Sequence, residues 1–209
     1  MRRTATLLAL LLPLGATAAA QPVADEIGTW RLVCAADRMT DRTACTLLHA
    51  RPVEPSEPGR PALALEIVER AGRMVPAVTA RDLTLEGAAR GLLALTGAAQ
   101  LRFPPNRLFE MPCGLEGRSL VCAPRAEDLP RAEAELPAAD RVLVRMQGLG
   151  VGGGGTAAEP VELRLSGTAA AIARYRQQVP PGSGAAATPD SPGLEGRELL
   201  GRIMRFLGL

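Results

Sequence analysis

Apolar and polar residues alternate along much of this chain with a period of two, the pattern of strands that bury one face. From Thr29 to Cys34 the positions Trp30, Leu32 and Cys34 share a face; after the turn-prone stretch "AADRMTDRTA" the alternation returns in Cys45, Leu47 and His49. This predicts a hairpin pinned across its loop. A Pro-rich connector, "RPVEPSEPGRP", leads to "ALALEIVER", a third strand with Leu63, Leu65, Ile67 and Glu69 on one face and Ala62, Ala64, Glu66 and Val68 on the other. Ala71-Gly72-Arg73 can turn the chain back into "MVPAVTA", and short apolar runs follow at 92–95, 100–103, 107–111 and 120–122. "RVLVRMQ" and "VELRLSG" read as a final hairpin joined by the long, flexible "GLGVGGGGTAAEP". Helices are few. "RAEDLPRAEAELPAAD" holds at best a short one because prolines interrupt it, and "TAAAIARYRQQ" forms a brief one with Thr168 as its cap. Short strands separated by turns predict an all-β fold, an antiparallel β-sandwich with short helices.

The 209 residues suit one domain with appendages, and 47% hydrophobic content is enough for a buried core. Only five residues are aromatic, so the core must be mainly Leu, Val and Ala, with Trp30 as an anchor beside the first cysteine. Stacking surfaces for bases are equally scarce, which argues against a nucleic-acid partner.

The N-terminus, "MRRTATLLALLLPLGATAAAQP", has the parts of a secretory signal peptide: Arg2 and Arg3, an apolar run from Leu7 to Leu14, and a small-residue site at Ala18-Ala19-Ala20. The run is short for a bilayer span of roughly 20 residues, and Pro13 interrupts it. Cleavage after residue 20 removes two of the 24 basic residues and leaves 22 against 22 acidic ones, so no broad basic field draws the mature chain to polyanions.

Export bears on the four cysteines. In an oxidising compartment thiols pair, and spacings of eleven and nine residues predict two local disulfides, Cys34–Cys45 and Cys113–Cys122. Zinc knuckles and redox motifs both need C-x-x-C, which the chain lacks, so no metal is expected. Loops of this size contribute roughly 3 kcal/mol each in the chain-entropy picture.

Catalytic chemistry finds little support. His49 is the only histidine and sits beside Leu47 and Leu48 on an expected strand, where a satisfied imidazole is the simpler reading than a general base. Ser56, Ser183 and Ser191 lie in connectors, and neither Ser119 nor Ser166 sits in a G-x-S-x-G elbow, so a hydrolase relying on His49 is the least favoured option. Glu66 and Glu69 fall on opposite faces of one strand and cannot converge on a substrate. The run "GLGVGGGGT" lacks the Gly-Lys-Ser/Thr ending of a phosphate loop. No catalytic residue and no cofactor are expected. The alternative to an interaction protein is a small-ligand or inhibitor module acting through the region of Asp37 to Arg42 and the glycine loop near residue 150.

The segments "GTWRLVCAADRMTDRTACTLLHA", "MPCGLEGRSLVC", "DRVLVRMQ" and "PVELRLSGTAAAIARY", behind an export signal, together resemble the invasion-associated locus B family of bacterial exported proteins, over roughly Asp25 to Gln178. The shared features are a Trp followed four residues later by a Cys, a second local Cys pair, and a last strand ending in Ser-Gly before an Ala-rich helix. Cys113 and Cys122 are more widely spaced than in that pattern, and the tail after Val179 is an addition to it. The resemblance implies a β-sandwich of the periplasm or cell envelope without an established catalytic role. Host-cell entry, associated with some members, does not carry over, because no matched residue encodes it.

Beyond the domain at 21–178, residues 179–193 have linker composition, and a flexible linker of this length spans about 20 Å. Residues 194–209 place Leu199, Leu200, Ile203, Met204, Phe206 and Leu207 on one helical face, with Arg202 and Arg205 mainly opposite. This amphipathic helix either docks on its own sandwich or, as the tether reading expects, contacts an envelope protein or a membrane surface. Intact-mass measurement of the exported protein should find a chain beginning at Gln21 or within two residues of it. A mass that retains residues 1–20 refutes the export reading.

Overall fold

Ten strands, all paired antiparallel, make up most of the computed structural model, which describes residues 23–57, 61–81, 83, 97–147 and 159–180. The strands are β1 Val23–Ile27, β2 Trp30–Asp37, β3 Arg42–His49, β4 Ala64–Arg70, β5 Arg73–Ala80, β6 Ala98–Arg102, β7 Phe109–Glu116, β8 Ser119–Cys122, β9 Arg141–Gln147 and β10 Val161–Arg164. Among the described residues two α-helices accompany them, α1 (Leu129–Glu135) and α2 (Thr168–Gln178). The expected β-rich chain with short helices is therefore present. Its strands run on as one curled sheet, in the order β1-β2-β3-β4-β5-β8-β7-β6-β9-β10, rather than dividing into two facing sheets.

Continuity comes from β7, which changes partner midway. Its first half pairs with β6 (Leu101↔Phe109 to Ala98↔Pro112), and its second half pairs with β8 (Cys113↔Cys122 to Glu116↔Ser119). Pro112 and Cys113 mark the handover, so one strand belongs to both halves of the sheet. Pro76 of β5 avoids the cost of a missing N–H. The Ala71-Gly72 turn closes β4–β5 on the hydrogen-bonded pair Arg70↔Arg73, so by alternation Ile67↔Pro76 is a non-bonded pair and Pro76 faces its ring nitrogen away from β4.

The cross-strand register assembles one apolar face around the curl. Leu32, Leu47, Ile67 and Pro76 lie side by side; Val78, Cys122 and Cys113 continue the row; Met111, Ala99 and Met146 extend it. The helices lie against this same face. The Trp30 indole donates to Thr168 at the start of α2, and the Arg131 guanidinium of α1 lies 3.5 Å from the Phe109 ring centre. Leu129, Ala132, Leu136 and Ala171 thereby join the strand residues in a single core. Trp30 is buried in it as expected.

Three local readings differ from the structure. β1 has no strong sequence pattern and is an additional strand. Thr168 is the first helical residue rather than the cap of α2; Gly167 takes the cap position in a left-handed conformation, and the Thr168 hydroxyl accepts the Trp30 N–H at 3.0 Å instead. Strands β2 and β3 also continue three residues past their cysteines. The signal segment 1–20, the run 92–95, most of the glycine loop, the linker and the tail lie outside the described residues.

The two ends of the sheet meet at a seam. Thr29 donates its N–H to the Ser166 carbonyl at 3.1 Å, and Ser166 donates its own N–H to the Thr29 hydroxyl at 3.0 Å. Gly28, with φ +62°, makes this approach possible, because a Cβ there would stand 2.2 Å from the Ser166 oxygen. Gly72 has a similar φ of +75° but open space around it. Gly72→Ala should therefore cost about 1–2 kcal/mol from backbone conformation alone, while Gly28→Ala should cost at least about 2 kcal/mol more because the seam must open. Denaturant midpoints of the oxidised variants measure the difference; equal losses would remove Gly28 from the seam.

Candidate interaction surfaces

The first disulfide stands at the point where the sheet gives way to a two-stranded ribbon. Cys34 and Cys45 are direct cross-strand partners with Cα atoms 4.1 Å apart, and Cys113 and Cys122 are partners in the same way at 3.9 Å. Both expected pairings are present. β1 accompanies β2 only as far as Cys34, and β4 accompanies β3 only at Leu47 and Leu48. Past the cystine, Ala35–Asp37 form strand pairs only with Arg42–Ala44 among the described residues. Ala35, Ala36 and Ala44 are exposed and too small to form a core. An isolated two-stranded ribbon is marginal in water, so the crosslink at its base holds it in register. Its turn, residues 38–41, has Asp41 at φ +54° and carries Met39 with 91% of its surface exposed.

His49 stands at the seam. Its Nε2–H donates to the Arg164 carbonyl at 2.9 Å, and its Nδ1 accepts the Arg51 N–H at 3.1 Å. The Arg51 carbonyl also lies 2.8 Å from Nδ1. The ring meets Trp30 edge-on, with centres 5.5 Å apart. Both nitrogens are thus committed to backbone groups, and the Nε2 contact ties β3 to β10. Arg51 adds a guanidinium bond to the Glu162 carbonyl.

Glu66 and Glu69 do occupy opposite faces of β4, since Glu66 lies opposite Ala77 while Glu69 lies opposite Met74 of the core face. The structure adds that Glu66 is buried. Its carboxylate accepts the Thr79 hydroxyl at 2.7 Å and a two-pronged contact from Arg81 at 2.9 and 2.5 Å. Half-buried Tyr175 on α2 lies within the field of both acids. Burial first, then Glu69 and then Glu66, push its phenol above the ordinary value of about 10.

Two depressions lie on the surface of the described residues. A groove of about 550 Å³ lies between the edge strand β1 and α2, lined by Ala24, Ile27, Ala170 and Ala173, with Arg174 bound to Asp25 at 3.0 Å. A smaller hollow of about 200 Å³ lies on the outer face of β6 and β9 beside Leu108. Sequence reading missed both, because neither β1 nor the β6–β9 pairing could be recognised from local pattern. Among the described residues, no cluster of His, Cys, Asp and Glu could hold a metal ion, and no helix is long and apolar enough to cross a membrane. Tail residues Leu199, Leu200, Arg202, Ile203, Met204, Arg205, Phe206 and Leu207 lie outside the described residues. No family model matches the chain, and neither a curated protein nor a solved structure matches it.

The chain has one tyrosine, so phenolate absorbance reports Tyr175 alone. Its onset should come at higher pH in the native protein than in the denatured chain. Because the native state holds this proton more tightly, the contribution to stability is complete below about pH 10 and is lost as pH rises through the native value. Tyr175→Phe should abolish that alkaline decline. Coincident native and denatured titrations would contradict the assignment.

Proposed function

We propose that this protein is a non-catalytic interaction protein of the periplasm or cell envelope, resembling the invasion-associated locus B family. The observation that carries the reading is the disulfide-braced ribbon, which holds a large apolar side chain away from the body. A solvent-exposed Met on a short, crosslinked arm is well suited to protein contacts because its unbranched thioether adapts to irregular surfaces. Two disulfides fit an oxidising, extracytoplasmic environment. The only histidine is taken up by the seam, which supports a structural rather than a hydrolytic role for it.

The tail adds a tether to this reading. Its apolar face would form a helix when covered by an envelope protein or a membrane surface, while glycines 196, 201 and 208 keep it marginal in water. Ending the chain after Val179 should leave a folded, doubly disulfide-bonded domain that no longer sediments with membranes. Crosslinking on intact cells should capture a protein partner with the wild-type arm and lose it when Met39 is replaced by Asp. Unchanged fractionation refutes the tether, and unchanged crosslinking refutes the arm.

A further inference from the structure

The two cystines share a cross-strand arrangement but not an environment. Cys113 and Cys122 are 4% and 0% exposed, and neighbouring strands enclose them: Val78 of β5 lies opposite Cys122, and β6 pairs with β7 up to Pro112, the residue before Cys113. Cys34 and Cys45 are only half-buried, packed against the edge of the core. Their flanking strands run out at the same place. β1 reaches β2 no farther than Val23↔Cys34, and β4 pairs with β3 only at Leu47 and Leu48, so among the described residues no strand flanks Cys45 on the β4 side.

This difference bears on reactivity. Disulfide exchange needs a thiolate to reach a sulfur in line with the S–S bond, so access governs which cystine reacts. A cystine enclosed by strands meets an attacker only after those strands part, whereas one at the end of the supported sheet needs local fraying alone. The ribbon beyond Cys34 and Cys45 favours such fraying, because Ala35, Ala36 and Ala44 are exposed and a lone two-stranded ribbon is marginal in water.

We propose that Cys34–Cys45 is a thiol-exchange site, opened by an external dithiol reductant while Cys113–Cys122 stays closed, and that its redox state sets the pairing of residues 35–37 with 42–44. One thiolate of the reductant attacks a cystine sulfur; the S–S bond breaks, a mixed disulfide forms, and the other cysteine leaves as a thiolate that takes up a proton. The reductant's second thiolate then attacks the reductant's own sulfur in the mixed disulfide and releases the remaining cysteine. Two electrons pass to the cystine, its two protons come from the dithiol, and the reductant ends as a disulfide. Towards the seam the strands do not need the crosslink, since Trp30, Leu32 and Leu47 are held in the core and His49 is bonded to β10. Beyond it, the pairs Ala35↔Ala44, Ala36↔Thr43 and Asp37↔Arg42 lose the crosslink that keeps them in register. The inference goes beyond the docking reading and does not depend on it, because both events are read on the isolated protein.

Limited reduction of the folded, oxidised protein with dithiothreitol, quenched with iodoacetamide over a time course and mapped by peptide mass, tests the site. Cys34 and Cys45 should be alkylated at least about tenfold faster than Cys113 and Cys122. In the singly reduced protein, hydrogen exchange should rise at least about tenfold at the amides of residues 35–37 and 42–44 and stay unchanged in β4 and β5. Replacing both Cys34→Ser and Cys45→Ser should reproduce that exchange pattern. Equal alkylation of all four cysteines, earlier opening of Cys113–Cys122, unchanged exchange in the ribbon, or unfolding of the whole singly reduced chain overturns the proposal. The time course on the wild type decides these points even where the double variant misfolds.

Discussion

A curled sheet with ten strands must satisfy two open ends, and the rest of this structure depends on how they are joined. The junction is not a ladder of backbone bonds. It consists of Thr29 with Ser166, Trp30 with Thr168, and His49 with Arg164, each linking the first hairpins to the final strand or the helix after it. Trp30 is central because it fills the core beside Leu32 and its indole N–H finds an acceptor in the same place. A buried donor without a partner would cost about 1–3 kcal/mol, so Thr168 is fixed by the indole as firmly as the indole is by the core. Through Thr168 the seam also sets where α2 starts, and so where Ala171 and Tyr175 pack.

The second constraint is that both faces of β4 and β5 are buried. Leu65, Ile67 and Val78 enter the shared core, while Val68, Val75 and Ala77 are buried on the opposite side together with Glu66. A carboxylate in that position needs compensation, and it has three donors, from the Thr79 hydroxyl and the two nitrogens of Arg81. Removing one partner of such a cluster leaves a charge without its counterpart, whereas the cluster as a whole adds little net stability. Its effect is on register: a slip of one residue between β4 and β5 would carry Glu66 into the apolar face.

The two cystines work differently although their geometry is alike. Cys113–Cys122 is buried within the sheet and joins the strand that belongs to both halves to its neighbour. Cys34–Cys45 lies at the boundary between body and ribbon. On the body side the same two strands carry Trp30, Leu32, Leu47 and His49; on the far side they carry three alanines, Thr43, Asp37 and Arg42. One hairpin thus holds the seam at one end and presents Met39 at the other, so a stable core and a projecting arm follow from the same pair of strands.

The sequence by itself determined the local features. Alternation marks β2 to β4, β9 and β10, each of which has an apolar face that any β-fold must cover. The cystine pairing could be read because eleven- and nine-residue loops close on themselves, and the Ala71-Gly72 turn follows from residue type. Long-range relations were decided by the tertiary structure alone. Nothing local distinguishes two facing sheets from one curled sheet, since the difference lies in β7 exchanging β6 for β8 between Pro112 and Cys113. β1 escaped because "VADEI" has no clear apolar face and is a strand only through its pairing with β2. Thr168 has the residue type of a cap, but the Trp30 indole, 138 positions away in sequence, claims its hydroxyl. The arm and the Leu108 hollow were likewise invisible in the sequence. Exposure depends on which neighbouring strands stop short and which cross, and that is a property of the folded sheet.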